Sequence, residues 1–271
     1  MKDNTYGGTA MPSHYTHYRF GNQVIDTLPP ETRNRIQRFR QLYDVGLQGP
    51  DIFLYHNIFR KDSTVALSGH FHRQTGQELF TEICRRLRTE PGEGGLAYLY
   101  GLLAHYCLDS TCHPFIRQQT ADGTIKHAEL EAELDRFLLF QDGHRPVYSY
   151  DFRPHLKLTP GECATAASLY PPATDTAVNR SLRCMASSIR FLTPNSGFHR
   201  GVLKLCMKLT GDKFTPHIMH RSPNKTCAHL NQPLLELYGK ALENYPRMLE
   251  NLLQHLYGDE PLGPEFDTDF G

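Results

Sequence analysis

The chain has 271 residues, of which 39% are hydrophobic and 21% are charged, and its 29 Lys and Arg residues balance 29 Asp and Glu residues. This composition indicates a globular protein with a sizeable core, and it excludes a basic excess over the whole chain of the kind that binds nucleic acid. The longest apolar stretch, 96–108, is shorter than the roughly 20 residues of a membrane-spanning helix.

The N-terminal 20 residues contain no apolar run that would indicate a secretory signal. The seven cysteines are odd in number and include no CxxC pair, a pattern typical of reduced and mostly buried thiols. We therefore predict a cytoplasmic protein.

The first predicted helix lies in "MPSHYTHYRFGNQVIDTLPP", which has capping residues at Ser13 and Thr16 and a stop at Pro29 and Pro30. The next, "PETRNRIQRFRQLYDVG", opens with proline and acid and closes at Gly46. A Gly-Pro turn then starts the short segment "GPDIFLYHN". Further helices are expected over 66–89, 93–113, 126–141, 174–193, 198–209 and 230–257.

No alternating run indicates a sheet, and the segment 142–174 is predicted to be an irregular connection. We expect one all-α domain over 11–257, with the C-terminal third as an added layer. The residues 1–10 are predicted to be a flexible extension, and 258–271 a frayed acidic tail.

One predicted helix, "YLYGLLAHYCLDSTCHPFI", carries three polar residues on an apolar background. His105, Asp109 and His113 are spaced four residues apart, so they share one stripe of the helix. Ordinary hydrogen bonding of these histidines is the simpler alternative. Eight residues of helix span about 12 Å, whereas zinc holds imidazole nitrogen at about 2.0–2.1 Å. One ion would serve His105 and Asp109 but would reach His113 only with strain, so the pattern suggests more than one ion.

A second polar pair follows in "KHAELEAELD", where His127 and Glu131 are again four residues apart on a predicted helix. The intervening loop allows this helix to turn back toward His113. Glu129 and Asp135 are assigned to its solvated face. A single HxxxE pair is weak, but two successive helices with metal-ligand spacing are a stronger indication of a metal centre.

Three upstream segments add possible ligands. Asp51 lies between a tight turn and an apolar segment, where a carboxylate is costly to bury without a partner; capping after Pro50 is the alternative. "SGHFHR" offers His70 and His72, and "MPSHYTHYRFG" offers His14 and His17. Periodicity does not decide which histidine of either pair points inward.

These motifs together resemble the zinc-dependent phospholipase C family. "MPSHYTHYRFG", "GLQGPDIF", "GHFH", "GLLAHYCLDSTCHPFI" and "KHAELEAELD" occur in the family's order and cover about residues 11–135. The resemblance implies an all-α, multi-helix domain with a zinc cluster among its central helices.

The resemblance also implies ligand roles. The first ion would be held by Asp51, His72, His105 and Asp109, and the second by His113, His127 and Glu131. Asp109 would bridge toward a third ion that also takes His17, so two zinc ions are expected and a third is allowed. His17 and His72 are preferred over His14 and His70.

Two features depart from the family's secreted members. Those proteins bind the third ion through an N-terminal tryptophan, whereas this chain has no tryptophan. The spacing from Asp109 to His113 is also shorter here.

The implied activity is hydrolysis of a phosphodiester, phospholipase C-like, by a metal-bridging hydroxide, with Asp51 as ligand, general base or both. The expected substrate is a small-molecule or lipid phosphoester. A single-strand nuclease or phosphomonoesterase with the same cluster, and a non-catalytic metal-binding or ligand-binding protein, are the alternatives. The neutral charge balance gives nucleic acid no support, and no interfacial amphipathic helix with a basic face is expected. The oligomeric state is not determined by the sequence.

Overall fold

The structure is a computed structural model that describes residues 14–58, 60, 62–209, 211, 215–258 and 260–270. The predicted extension 1–10 lies outside these residues. The helices are α1 (His14–Ile25), α2 (Pro30–Arg38), α3 (Arg40–Gly46), α4 (Ser63–His72), α5 (Gly76–Thr89), α6 (Glu93–Thr120), α7 (His127–Gln141), α8 (Pro160–Ser168), α9 (Asp175–Leu192), α10 (Gly197–Leu209) and α11 (Asn231–Gly258). Short 3₁₀ segments connect several of them, and the described residues include no strand. The predicted all-α class is confirmed.

Helix α6 is the centre of the fold. Its residues from Gly95 to Asp109 are all buried, which agrees with the rule that a helix apolar on every side is enclosed by others. It packs against α1, α2, α3, α5, α7, α8 and α11. Glycines allow the closest of these crossings, because a Cβ on Gly101 would clash with the backbone of Tyr43 and one on Gly46 with the backbone of Tyr98.

Several helix boundaries differ from the sequence prediction. The helix expected over 66–89 is two helices, because Thr75 and Glu78 form a capping box that begins α5 anew. Helix α4 therefore ends at His72, which places this side chain at a helix terminus. The predicted end of the helix over 93–113 is also wrong. Helix α6 continues to Thr120, with Pro114 on its exposed side, where water can satisfy the carbonyl that loses its partner.

The segment 142–174 is not wholly irregular. It contains α8, whose start is marked by a capping box between Thr159 and Glu162 with Pro160 at the first helical position. This signal is visible in the sequence. Two 3₁₀ segments, Val147–Ser149 and Arg153–Leu156, precede it.

The C-terminal third belongs to the core instead of forming a separate layer. Helix α11 packs along α6, with the Tyr245 hydroxyl donating to the carbonyl of Tyr100 at 2.9 Å. The expectation of a frayed tail is wrong as well, because Phe266 and Phe270 are fully buried. Their rings fill the space beside α6, so the acidic tail is held by its aromatic residues.

None of the helices within the described residues is long and apolar enough to cross a bilayer.

Candidate metal centre

The stripe on α6 faces a group of buried histidines and carboxylates. The side chains of His105, Asp109 and His113 are 0%, 4% and 14% exposed. Five elements supply the group, which consists of His17 from α1, Asp51 from the 3₁₀ segment Gly49–Tyr55, His72 from α4, the three α6 residues, and His127 and Glu131 from α7. The structure thus brings together all eight residues that the sequence singled out.

Asp51 lies between two histidines. Its Oδ1 is 3.1 Å from His72 Nε2, and its Oδ2 is 3.8 Å from His105 Nε2. The three side chains form the first of three groups whose ligand atoms are close enough to share one cation. Gly49 permits this arrangement, because its φ of 51° is in the left-handed region and a Cβ would collide with the His105 ring.

Asp109 connects the other two groups. It lies 3.2 Å from Nε2 of His17 through Oδ1 and 3.2 Å from Nε2 of His105 through Oδ2. The same Oδ1 is 3.6 Å from Nε2 of His113. Asp109 therefore has the position of a bridging carboxylate.

The third group lies at the junction of α6 and α7. Glu131 Oε1 is 3.1 Å from His127 Nε2 and 3.6 Å from His113 Nε2. His127 is the most exposed member of the cluster, with 33% of its side chain accessible. The cluster is therefore most open at this end.

The outer ring nitrogens of three histidines are bound to backbone carbonyls. The Nδ1 atom of His105 donates to the carbonyl of Leu47 (3.2 Å). In the same way, His72 donates to the carbonyl of Ser68 (2.8 Å) and His113 to that of Phe270 (2.9 Å). With Nδ1 protonated, the lone pair of each neutral ring lies on Nε2, which points at the carboxylates. Outer hydrogen bonds of this kind fix the tautomer of metal-binding histidines.

The geometry and the unpaired atoms both fit zinc. Two ligand atoms about 2.1 Å from a tetrahedral ion are about 3.4 Å apart, and the nitrogen–oxygen distances above range from 3.1 to 3.8 Å. Buried polar atoms without a hydrogen-bond partner include His105 Nε2 and Glu131 Oε2. Such atoms are costly unless a cation or another partner satisfies them.

The electrostatics of the cluster keep the carboxylates of Asp109 and Glu131 ionised. Burial acts to raise the pKa of Glu131, but His127 and His113 outweigh it and lower that pKa to about 2. Burial acts in the same way on Asp109, and His113, His105 and His17 together hold its pKa far below the usual range. Anionic oxygens beside imidazole nitrogens are a donor set that suits zinc.

The pKa values of His105 and His72 are shifted in opposite directions. Burial lowers the pKa of His105 to about 4, only partly offset by Asp109, so its ring is neutral. Burial also acts to lower the pKa of His72, but the carboxylate of Asp51 outweighs it and raises that pKa to about 9. A neutral imidazole is the form that binds metal.

The structure shows which histidine of each pair, His14 or His17 and His70 or His72, faces the cluster. His17 and His72 face the cluster. His14 instead bonds through Nδ1 to the Gln48 side chain (3.1 Å) and through Nε2 to the Tyr55 hydroxyl (2.7 Å), while His70 is exposed.

Asp135 is a positioning residue that the sequence analysis assigned to solvent. It is buried, and its carboxylate accepts hydrogen bonds from the backbone N–H groups of Tyr15 and Thr16 and from the Thr16 hydroxyl. It thereby holds the N-terminal turn of α1 in place next to His17. Its spacing of four residues from Glu131 on α7 was the available signal.

A cavity of about 70 Å³ lies beside the cluster. Its lining includes His14, Tyr15, Asp135, Leu192 and Met219. The eight cluster residues do not line it, so the cavity adjoins the metal centre without containing it.

Comparisons with known proteins agree with this centre. A family model described as zinc dependent phospholipase C matches residues 16–187, well over half of the chain, and this range contains all eight cluster residues. No curated protein and no solved structure matches the chain.

Proposed function

The chain belongs to the zinc-dependent phospholipase C family, and from this membership we propose that it is a zinc-dependent phosphoester hydrolase that cleaves a phosphodiester in the manner of a phospholipase C. The observation that carries the proposal is the convergence of the eight side chains, with imidazole Nε2 atoms and carboxylate oxygens directed at common points.

We assign the residues to ions as follows. Asp51, His72, His105 and Asp109 hold one zinc, and His113, His127 and Glu131 hold a second. His17 and Asp109 contribute to a third, a grouping supported by the 3.2 Å distance between them. Bound zinc supplies charge that stabilises the phosphoryl oxygens and lowers the pKa of a water molecule to near neutrality.

We expect Asp51 to act as the general base that accepts a proton from the attacking water. Its Oδ1 is engaged with His72, whereas Oδ2, at 3.8 Å from His105, is beyond hydrogen-bond distance of that ring. Oδ2 is therefore available to accept a proton from the attacking water. The oxygen of that water bonds to phosphorus while the bond between phosphorus and the leaving oxygen breaks. The proton that Asp51 accepted passes to the leaving oxygen, giving an alcohol and a phosphomonoester.

The expected approach of the substrate is from the end at His127, where the cluster is most open. The walls around the rest of the cluster are apolar and aromatic: Phe270 lies 4.9 Å from the His72 ring and 5.6 Å from the His105 ring, measured between ring centroids. This packing excludes water from the buried side and strengthens the electrostatic interactions inside.

The test is hydrolysis of a soluble choline phosphodiester by the zinc-loaded chain, compared with Asp51→Asn. We expect the variant to lose activity by roughly a hundredfold or more, since loss of residues that merely support a metal ligand already costs about 10–100-fold. Asp151→Asn is the matched control, because Asp151 is an exposed carboxylate paired with Arg153.

Zinc content measured on the same samples distinguishes two explanations for lost activity. An unchanged zinc content would indicate loss of the proton acceptor, and a lower zinc content would indicate loss of an ion. Turnover confined to single-stranded nucleic acid or to monoesters would replace the proposal with one of its enzymatic alternatives. Zinc-loaded protein that is inactive on all three substrate classes would identify a non-catalytic metal-binding protein.

A further inference from the structure

Helix α10 exposes a continuous apolar ridge. Phe198, Val202, Leu205 and Leu209 are 85%, 39%, 60% and 78% exposed. Their spacing of four, three and four residues puts them on one face of the helix. Single exposed apolar side chains are common on protein surfaces, but a contiguous row marks an interaction site.

The ridge is distinct from the face by which α10 packs against the rest of the protein. The opposite side of α10 carries Leu203 and Met207, which are buried in a small cluster with Leu192 and Ile218. The helix is thus apolar on two sides, one packed against the protein and one facing out. Phe191, 39% exposed at the end of α9, extends the outer surface.

The sequence around the ridge is strongly basic. The stretch 176–225 holds nine Lys or Arg residues and one Asp, although the whole chain is neutral. Helix α10 itself has no acidic residue, and Lys208 on it is exposed. Exposed arginines at 180, 183 and 190 continue the charge along α9. The neutral charge of the whole chain does not reveal this local excess of basic residues.

The ridge adjoins the cavity beside the metal centre. Leu192 lines that cavity and also packs against Leu203 and Met207 of α10. The backbone N–H of Met219, another cavity residue, donates to the carbonyl of Leu192 at 3.2 Å. A surface held against the ridge would therefore lie close to this cavity.

We propose that α10 docks the protein onto an anionic phospholipid bilayer, with its apolar ridge at the acyl boundary and the basic residues around it among the headgroups. This inference rests on the proposed function, because docking would bring lipid phosphodiesters to the metal centre. Thirteen residues of helix are about 20 Å long, less than the hydrocarbon thickness of about 30 Å. The helix therefore lies on the membrane and does not span it.

The charge pattern favours lipid over two other occupants. Pairing of the ridge with its copy in a second chain would bring like-charged basic surfaces together. Single-stranded nucleic acid would meet the basic residues but would leave the aliphatic side chains of Val202, Leu205 and Leu209 in water, because its bases stack on aromatic rings. An anionic bilayer satisfies the charges and the apolar row together. The proposal departs from the expectation that the chain has no interfacial amphipathic helix with a basic face.

The test is co-sedimentation of the full chain with phosphatidylcholine vesicles that contain or lack phosphatidylserine. The Asp51→Asn background keeps the lipid intact. We expect binding that requires phosphatidylserine and weakens with salt. The double substitution Phe198→Ser and Leu205→Ser should reduce partitioning by about tenfold or more. Tyr257→Ser, which changes an exposed aromatic residue on α11, should bind like the parent.

In a chain with Asp51 intact, the double variant should cleave a soluble choline phosphodiester at the parent rate but lose hydrolysis of vesicle lipid. Vesicle binding without any phosphodiester cleavage would leave the docking inference standing while the proposed function fails. A parent protein that stays in the supernatant with phosphatidylserine vesicles would overturn the inference. So would a ridge-dependent dimer in sedimentation velocity, or binding to single-stranded oligonucleotides in place of vesicles.

Discussion

At the scale of single residues, the two histidines of α1 show how a small difference in position separates a candidate metal ligand from a residue that is bonded elsewhere. His14 and His17 are three residues apart, close to the same face of the helix. His17 reaches Asp109, whereas both ring nitrogens of His14 are bound by protein side chains. The ring of His14 therefore has no lone pair left for an ion.

Replacing each of these histidines by asparagine should separate their roles. We expect His17→Asn to hold about one zinc fewer than the parent chain, because the group with Asp109 and His105 loses a nitrogen ligand. His14→Asn should retain the parent content. Elemental analysis of protein purified without added metal gives the ratio, and equal zinc in both variants would contradict the assignment of His17.

The partly buried His14 also makes stability depend on pH. Burial lowers its pKa to about 4, against about 6.5 in the unfolded chain. Between these values the unfolded chain binds more protons, so stability is complete above about pH 6.5 and falls as the pH drops toward 4, by about 3 kcal/mol at most.

We expect the urea midpoint of the metal-free protein to fall less between pH 7 and pH 5 in His14→Gln than in the parent chain. His70→Gln is the control, because His70 is exposed. Parallel pH profiles for the parent and the His14 variant would contradict the explanation.

At the scale of elements, the C-terminal tail is a support of the metal centre. The Phe270 carbonyl accepts from His113 Nδ1 at 2.9 Å, and its ring packs against His72 and His105. Phe266, four residues earlier, stacks on the Tyr106 ring and contacts the Phe80 ring edge to face. The two rings are equally buried but only one touches the cluster.

Alanine substitutions in the tail should distinguish stability from zinc binding. Phe266→Ala and Phe270→Ala should each destabilise the fold by about 3–5 kcal/mol, the usual cost of removing a buried ring. Zinc affinity should fall by roughly tenfold or more only in Phe270→Ala, where His72 and His105 lose their packing. Competition with a chromophoric chelator measures this affinity at a temperature where both variants are folded.

At the scale of the whole molecule, the metal centre joins elements that are distant in sequence. Its candidate ligands come from α1, the 3₁₀ segment, α4, α6 and α7. Three carboxylates, Asp51, Asp109 and Glu131, are buried together there. Because like charges repel in a medium of low dielectric constant, the ions should stabilise the folded chain as a whole.

Removing zinc should therefore lower the melting temperature, and adding zinc should restore it. Each site is expected to contribute about 2.7 kcal/mol when free zinc is a hundredfold above its dissociation constant. Asp109→Asn should respond less to the chelator, because the bridging carboxylate is already neutral. Melting curves that do not change with chelator would contradict a structural contribution of the metal.

The helical class, the buried helix α6 and five polar residues of the centre (His105, Asp109, His113, His127 and Glu131) could be predicted from the amino-acid sequence alone. These follow from local rules, since helical periodicity and the four-residue spacing of ligands are legible in short windows. The capping box at Thr159 was equally local and could have been used to predict α8.

Tertiary structure alone decided the rest. Which histidine of each pair faces the cluster depends on how α1 and α4 pack against α6, and the role of the tail depends on contacts between residues more than 150 positions apart. The ridge on α10 was visible only once the buried side of that helix was known, because an amphipathic pattern does not state which apolar side chains are covered. Long-range packing fixes these features, and no short stretch of sequence encodes it.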